Sequence, residues 1–270
     1  EVNWPNDINI QYETFQYCTS LSNINFNKTK IIGKGAFQNC TGLQILNLTD
    51  TEINTIGVES FQFCTRLQTL IFPDTLTSIN DNAFQFCTSL KELDFPDEIT
   101  IGKEAFLNCT GLQRLGFSYD IKTIGVRSFK YCTSLQSLNL TISEQAEVKD
   151  GAFQYCTGLT NIIFNDKHQS YKYGKYIFLN CTGLQGSTTL PSDFTYVPVG
   201  FYKNCSRLKT FTINKNIKDI KEEAFYNCVS LGPSLNLNEV DTIGDYAFYH
   251  CSGFTGNLNL SSNIESLGSY

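Results

Sequence analysis

Methionine is absent from this chain, tryptophan occurs once and histidine only twice in 270 residues. A chain without Met that starts at Glu1 reads as a mature or excised segment, with its signal peptide elsewhere. No run of 18 apolar residues occurs, so no segment reads as a membrane span. Basic runs are also missing. The net charge is −6 and the isoelectric point about 5.0, which argues against nucleic-acid binding because phosphate contacts need clustered Lys and Arg. Close cysteine pairs such as Cys-x2-Cys are lacking, and His168 and His250 do not complete a zinc site. His250 occupies a repeat position where other units carry Asn, Tyr or Phe, and His168 has no Ser or Cys nucleophile at a recognisable spacing, so the chain does not read as an enzyme, and no cofactor or metal is expected.

What the chain does have is a period. Its 11 cysteines, from Cys18 through Cys40, Cys64 and onward to Cys251, are separated by 22 to 25 residues. A fixed period of that length means one unit copied many times, and therefore a solenoid. Each cysteine sits in the same frame. A Phe precedes it by three residues (Phe15, Phe37, Phe61, Phe84) and a Leu follows at the third position (Leu43, Leu67, Leu90). Large apolar residues then come two apart, as in Leu46/Leu48 and Leu70/Phe72. That is the side-chain period of a strand with one buried face. A turn follows, Pro-Asp at Pro73-Asp74 and Pro96-Asp97, then a short apolar stretch ending in Ile-Gly, as at Ile56-Gly57 and Ile124-Gly125. Ala-Phe or Ser-Phe leads into the next cysteine and predicts a single helical turn.

The reading is an α/β solenoid of about eleven coils of 22–25 residues, with a parallel β-sheet on a concave face and short helical turns. Stacked coils share one core of Leu, Ile, Phe and Cys, at ~1.5–3 kcal/mol per fully buried large side chain. With a rise of about 4.8 Å per coil the body would be roughly 50 Å long. The frame resembles the BspA-like, or Treponema-type, class of leucine-rich repeats. That class repeats Ile-Gly, a few residues, then Ala-Phe-x-x-Cys-x-x-Leu, and it is matched here at Ile79 to Leu90 and at Ile243 to Cys251. The resemblance covers about residues 12–268 and breaks register once, at Cys205, where Tyr202 stands in the Phe position and Phe201 one place early. It implies an extracellular or cell-surface protein that attaches to matrix proteins or other cells.

The uninterrupted period predicts a single domain over 1–270, with a partial first unit (1–17), irregular units (165–200) and a truncated last unit (252–270). Trp4-Pro5 would help the leading segment cover the first coil. A polar terminal cap is not evident after residue 260, so the natural protein is expected to continue past Tyr270, toward a membrane anchor. A reading frame that ends at Tyr270 would overturn that expectation. The odd cysteine count, one per unit, predicts a ladder of buried free thiols. Stacked neighbours would have Cα atoms about 5 Å apart, within disulfide range, but parallel inward side chains disfavour bridging.

The outward positions of the first strand form the candidate binding face. Asn25, Ile45, Asn47, Ile71, Glu92, Asp94, Arg114, Asn139 and Ile163 are its candidate contacts, and Glu92, Asp94 and Arg114 its one charged spot. The irregular stretch at 165–177 supplies a second candidate patch, Lys167, Tyr171, Lys172 and Tyr173, although its Tyr residues equally suit a core. Among the Asn-x-Ser/Thr sequons, Asn27, Asn47, Asn139 and Asn259 are the glycosylation candidates. Asn39, Asn108, Asn180 and Asn204 arise from the repeat, and their Asn suits a turn. Gly186, Gly232 and Gly256 accompany one extra residue before the apolar pair, which predicts bulges.

Two functions follow from these residues and the resemblance: recognition of a protein or glycan on a host or microbial surface, or a structural element that self-associates into filaments or a coat. The free thiols also lend weight to an intracellular scaffold.

Overall fold

The computed structural model describes residues 2–3, 9–26, 28–143, 145–164 and 172–269. Trp4, Pro5, Asn27, Lys167, His168 and Tyr171 lie outside the described residues.

Apolar residues two apart give short strands, and the 22–25-residue period brings each strand alongside its copy in the next coil. All strand pairings are accordingly parallel and in register, as in Leu46 opposite Leu70 and Ile56 opposite Ile79. Two strand ladders run along the solenoid. The Ile-ending strands form a five-stranded run from Thr55–Ile56 to Glu147–Val148 and a four-stranded run from Tyr196–Val197 to Ser266–Leu267. This amounts to about nine turns rather than the eleven expected. Ile10, Ile32 and Tyr173 join this ladder only as single bridges, so the units they belong to lack a full second strand.

The first-strand ladder is likewise not one sheet. It consists of two-stranded pairs, among them Ile45–Asn47 with Thr69–Ile71, Glu92–Asp94 with Arg114–Gly116, and Ser137–Leu140 with Asn161–Phe164. Between Thr69–Ile71 and Glu92–Asp94 there is a seam without pairing.

The expected helical turns are also corrected: the described residues contain no α-helix. Every second residue of the Phe-x-x-Cys segment instead turns its N–H to the next coil. Glu59, Phe61 and Phe63 donate to Asp81, Ala83 and Gln85 at 2.8–3.0 Å. The residues between them, Ser60, Gln62 and Cys64, close three-residue turns on Gly57, Glu59 and Phe61. Glu59 and Phe63 hold φ of 56° and 62°, and the same two positions are left-handed in unit after unit. Such residues interrupt a right-handed helix, and hydrogen bonding between coils compensates for their cost. Asn39, Asn108, Asn180 and Asn204 occupy the second of these positions, with φ of 59–62°, a conformation Asn tolerates better than most residues. The Ile-Gly pairs mark where coils touch closely, since a Cβ on Gly57 would lie 2.6 Å from Gly33 carbonyl carbon.

Inside, one apolar cluster runs from Ile10 to Cys251. The Phe residues stack ring on ring from Phe15 to Phe248, with Tyr202 in its register place, at centroid separations of 5.2–5.9 Å. That separation is somewhat wider than the ~4.8 Å spacing of paired strands and falls within the favourable range for aromatic pairs. Beside this stack runs the thiol column. Every cysteine from Cys40 to Cys251 donates its Sγ–H to the carbonyl of the Phe (Tyr202 for Cys228) in the preceding coil, at 3.1–3.5 Å. Cysteine suits the place because it is small, apolar and a weak donor. All are free thiols, and Cys18 alone is exposed.

Candidate functional site

Alternation along the first strand determines what this face presents. In Ile45–Asn47, Thr69–Ile71 and Glu92–Asp94 the middle residue is buried and the outer two are exposed. Register then aligns the exposed residues into two columns. Ile45, Thr69, Glu92, Arg114, Ser137 and Asn161 make one; Asn47, Ile71, Asp94, Gly116, Asn139 and Ile163 make the other. Ile45, Ile71 and Ile163 are 49%, 43% and 51% exposed, so each offers apolar surface on an otherwise polar sheet. Asn25 is exposed on its own strand, Ile24–Asn25.

The three charged residues meet. Arg114 Nε donates to Glu92 Oε2 at 3.1 Å, and Nη2 reaches the same oxygen at 3.0 Å. Nη1 and Nη2 donate to Asp94 Oδ1 and Oδ2 at 2.6 and 2.7 Å. This is the fork geometry in which guanidinium and carboxylate bind bidentately. The hydrogen bond it accepts from Arg114 holds the Asp94 carboxyl below the usual carboxylate range, and the bonds Arg114 donates to Asp94 and Glu92 raise the guanidinium further. Gly116 makes room for the arrangement, because a Cβ there would overlap Asp94 Oδ1 and come within 3.2 Å of Arg114 Nη1.

Next to the ion pair, over the unpaired seam, the surface opens into a concavity of about 640 Å³. Ile71, Phe72, Phe95 and Pro96 are among its apolar lining, and Asp74, Lys91, Glu92, Asp94 and Arg114 supply its charge. Neither the Phe72 nor the Glu92 N–H reaches a carbonyl across the seam. Sequence reasoning singled out the charged trio and Ile71, placed Gly116 and Pro96 on the same outward face without a role, and passed over Asp74 and Lys91. The Pro-Asp turns that follow the strands were the available signal for Asp74 and Pro96. The seam left no mark in the repeat.

Asn47 and Asn139 are exposed, and each Oδ1 accepts the backbone N–H and hydroxyl of the Thr two residues on, Thr49 and Thr141. Their side chains therefore cap local turns at the strand ends. Asn259 is exposed on the strand Asn259–Leu260. Of the second patch, Lys172 and Tyr173 fall among the described residues. Tyr173 is buried rather than superficial, its ring packed against Phe164, Phe194 and Phe201, because it occupies a core-facing bridge position opposite Val148. Lys172 is half-buried, and its Nζ lies 3.5 Å from the Gln145 carbonyl. Among the described residues no three His, Cys, Asp or Glu side chains converge as a metal site, and no helix is long and apolar enough to cross a membrane.

The model of the BspA-type leucine-rich repeat region matches this chain in six copies, over residues 1–112, 99–232 and 171–270. No curated protein matches by sequence. Among solved structures, the leucine-rich repeat protein of T. pallidum is 27% identical with a TM-score of 0.52, over 61% of this chain and 75% of its own. A leucine-rich cell surface protein of Faecalibacterium prausnitzii is 20% identical with a TM-score of 0.51, over 93% of this chain and 68% of its own. The pneumococcal vaccine antigen PcpA is 20% identical with a TM-score of 0.51, over 90% of this chain and 58% of its own.

Proposed function

The chain belongs to the BspA-type leucine-rich repeat family, and from that premise we propose that it is a surface-exposed recognition protein whose first-strand face holds a partner protein. Repeat proteins of this architecture bind partners on such faces, and proteins of this family are typically found at surfaces. The observation that carries the reading is the pair of exposed columns, in which a mostly uncharged Asn, Ser and Thr surface is studded with half-exposed Ile45, Ile71 and Ile163. Adhesion to matrix proteins or to other cells is the corresponding activity, and an extracellular or cell-surface location the corresponding place. A glycan partner is the other form of the same reading. The protein works as a binding scaffold, without catalysis.

The test is an array of purified extracellular-matrix proteins and glycans probed with the full chain and with Ile71→Arg and Ile163→Arg. A protein signal lost in both variants, with thermal stability retained, supports the reading. Signals confined to glycans point to the glycan form, and signals untouched by either variant refute the assignment of this face.

A second reading is self-association of the chain into filaments or a coat. Sedimentation velocity separates the two. A concentration-independent monomer removes the second.

A further inference from the structure

The concavity at the seam has a chemistry of its own, and it deepens the reading above, on which it rests. Arg114 spends the edge of its guanidinium on Glu92 and Asp94. It therefore has little capacity left to receive a ligand carboxylate or phosphate in the plane. The two carboxylates that surround it, with Asp74 on the same lining, repel anions as well. What remains is the guanidinium's planar face, on a side chain that is 48% exposed. A guanidinium face is attracted to the face of an aromatic ring.

The neighbouring surface agrees. Ile71 is half-exposed, Pro96 is half-buried, and the side chains of Phe72 and Phe95 lie just beneath. The volume, about 640 Å³, falls in the range of ~300–1,000 Å³ typical of ligand sites. The unpaired seam adds backbone N–H groups at Phe72 and Glu92 that make no bond across to the neighbouring strand.

We infer that this concavity is the anchor point for an aromatic side chain, Tyr or Trp, of a protein partner, stacked on the Arg114 guanidinium with its apolar edge against Ile71 and Pro96. The Glu92 and Asp74 carboxylates then favour an O–H or indole N–H donor over a plain phenyl ring. Buried Tyr and Trp are the residues that most often carry interface energy. Gly116 belongs to the site as a positioning residue, because a side chain there would displace the Asp94 carboxylate that holds the guanidinium in place.

The experiment uses the full chain, isotope-labelled, titrated with N-acetyl-tryptophanamide and, separately, with N-acetyl-leucinamide. The expected result is a ring-current shift of the Ile71 methyls and the Arg114 Nε–H with the tryptophan probe. Arg114→Lys, which keeps the charge and loses the plane, should weaken that response about fivefold. Gly116→Ala should reduce it too. Thermal stability of both variants is measured in parallel, and Ile71→Ser serves as the reporter if either fails to fold. Equal responses to the two probes, an undiminished response in Arg114→Lys, or no response at these residues overturns the inference. Each of those results leaves the broader reading standing or falling on the array test, where Ile163→Arg probes the face far from this concavity.

Discussion

Raising the pH from about 7.5 to about 9.5 should remove most of the folding stability, and the cause is the thiol column. Nine thiols, from Cys40 to Cys228, are fully buried, and the eight from Cys64 onward lie deepest. Burial pushes every one of them up, Cys156 to about 12. In an unfolded chain the same groups ionise near ~8.5. Between these values the folded protein keeps its protons while the unfolded chain has released them. Stability is thus fully present below the unfolded value and is lost as pH rises toward the folded one. At about pH 9.5 each thiol favours the unfolded chain by about 1.4 kcal/mol, so eight contribute about 11 kcal/mol. That matches the whole stability of a typical domain, ~5–15 kcal/mol. At about pH 7.5 the same eight contribute less than ~0.5 kcal/mol. Urea denaturation followed by circular dichroism under reducing conditions, at several pH values, measures the effect. The midpoint should fall steeply above about pH 8.5, and thiolate absorbance should appear together with loss of structure. The double variant Cys109→Ala/Cys132→Ala should lose about a quarter of the pH dependence. Measured in a Cys18→Ala background, a midpoint that stays flat to about pH 9.5, or thiolate absorbance that rises while the fold persists, would refute the reasoning.

Three further expectations are open to direct measurement. Phe106→Ala, which removes a fully buried ring stacked between Phe84 and Phe129, should cost about 3–5 kcal/mol in urea denaturation, whereas the half-buried Phe15 should cost clearly less. Equal costs would mean that the stack does not set stability. Ser60→Ala and Ser128→Ala should each raise stability by about 1 kcal/mol, because these hydroxyls are buried without a hydrogen-bond partner where other units carry Ala36 and Ala83; a lower melting temperature in either variant counts against this. Asp94, held below the usual range by Arg114, should release the guanidinium only as pH falls through that lowered value, so the contact is intact above it. A carboxyl titration by NMR that places Asp94 at or above ~3.9 contradicts the ion-pair geometry.

The core was legible because the repeat writes it eleven times over. Phe84, Cys87 and Leu90 occupy fixed places in the frame and are all fully buried, and hydrophobic period alone was enough to place them. The outward columns were legible for the same reason, since strand alternation assigns Ile71 and Ile163 to the surface once Leu70 and Ile162 are inside. The backbone between Phe and Cys was not. Nothing in Ala-Phe-x-x-Cys distinguishes one helical turn from two left-handed residues bonded to the next coil, because that preference comes from the neighbour rather than the segment. Tyr173 was undecided in the sequence for a related cause. Its surroundings, rich in Lys and Tyr, suit a surface patch and a core equally, and its place beside Val148 in the ladder makes it core.

This separation of frame from face explains why recognition is harder to read than fold. A buried position such as Leu93 answers to two neighbouring coils at once, and a change there costs packing in both. Glu92 and Asp94, one residue to either side, answer to almost nothing in the frame. Their side chains are free to vary at little cost to the stack, and only relations among them carry function. The Arg114 fork is such a relation. It needs a carboxylate at two outward positions of one coil, a guanidinium on the next, and Gly116 to leave the space open. No single unit contains that pattern: aligning the outward positions of successive units groups the three charges, but not the fork they form or the part Gly116 plays in it. The fork itself appears when the two coils lie side by side in register, Glu92 opposite Arg114 and Asp94 opposite Gly116.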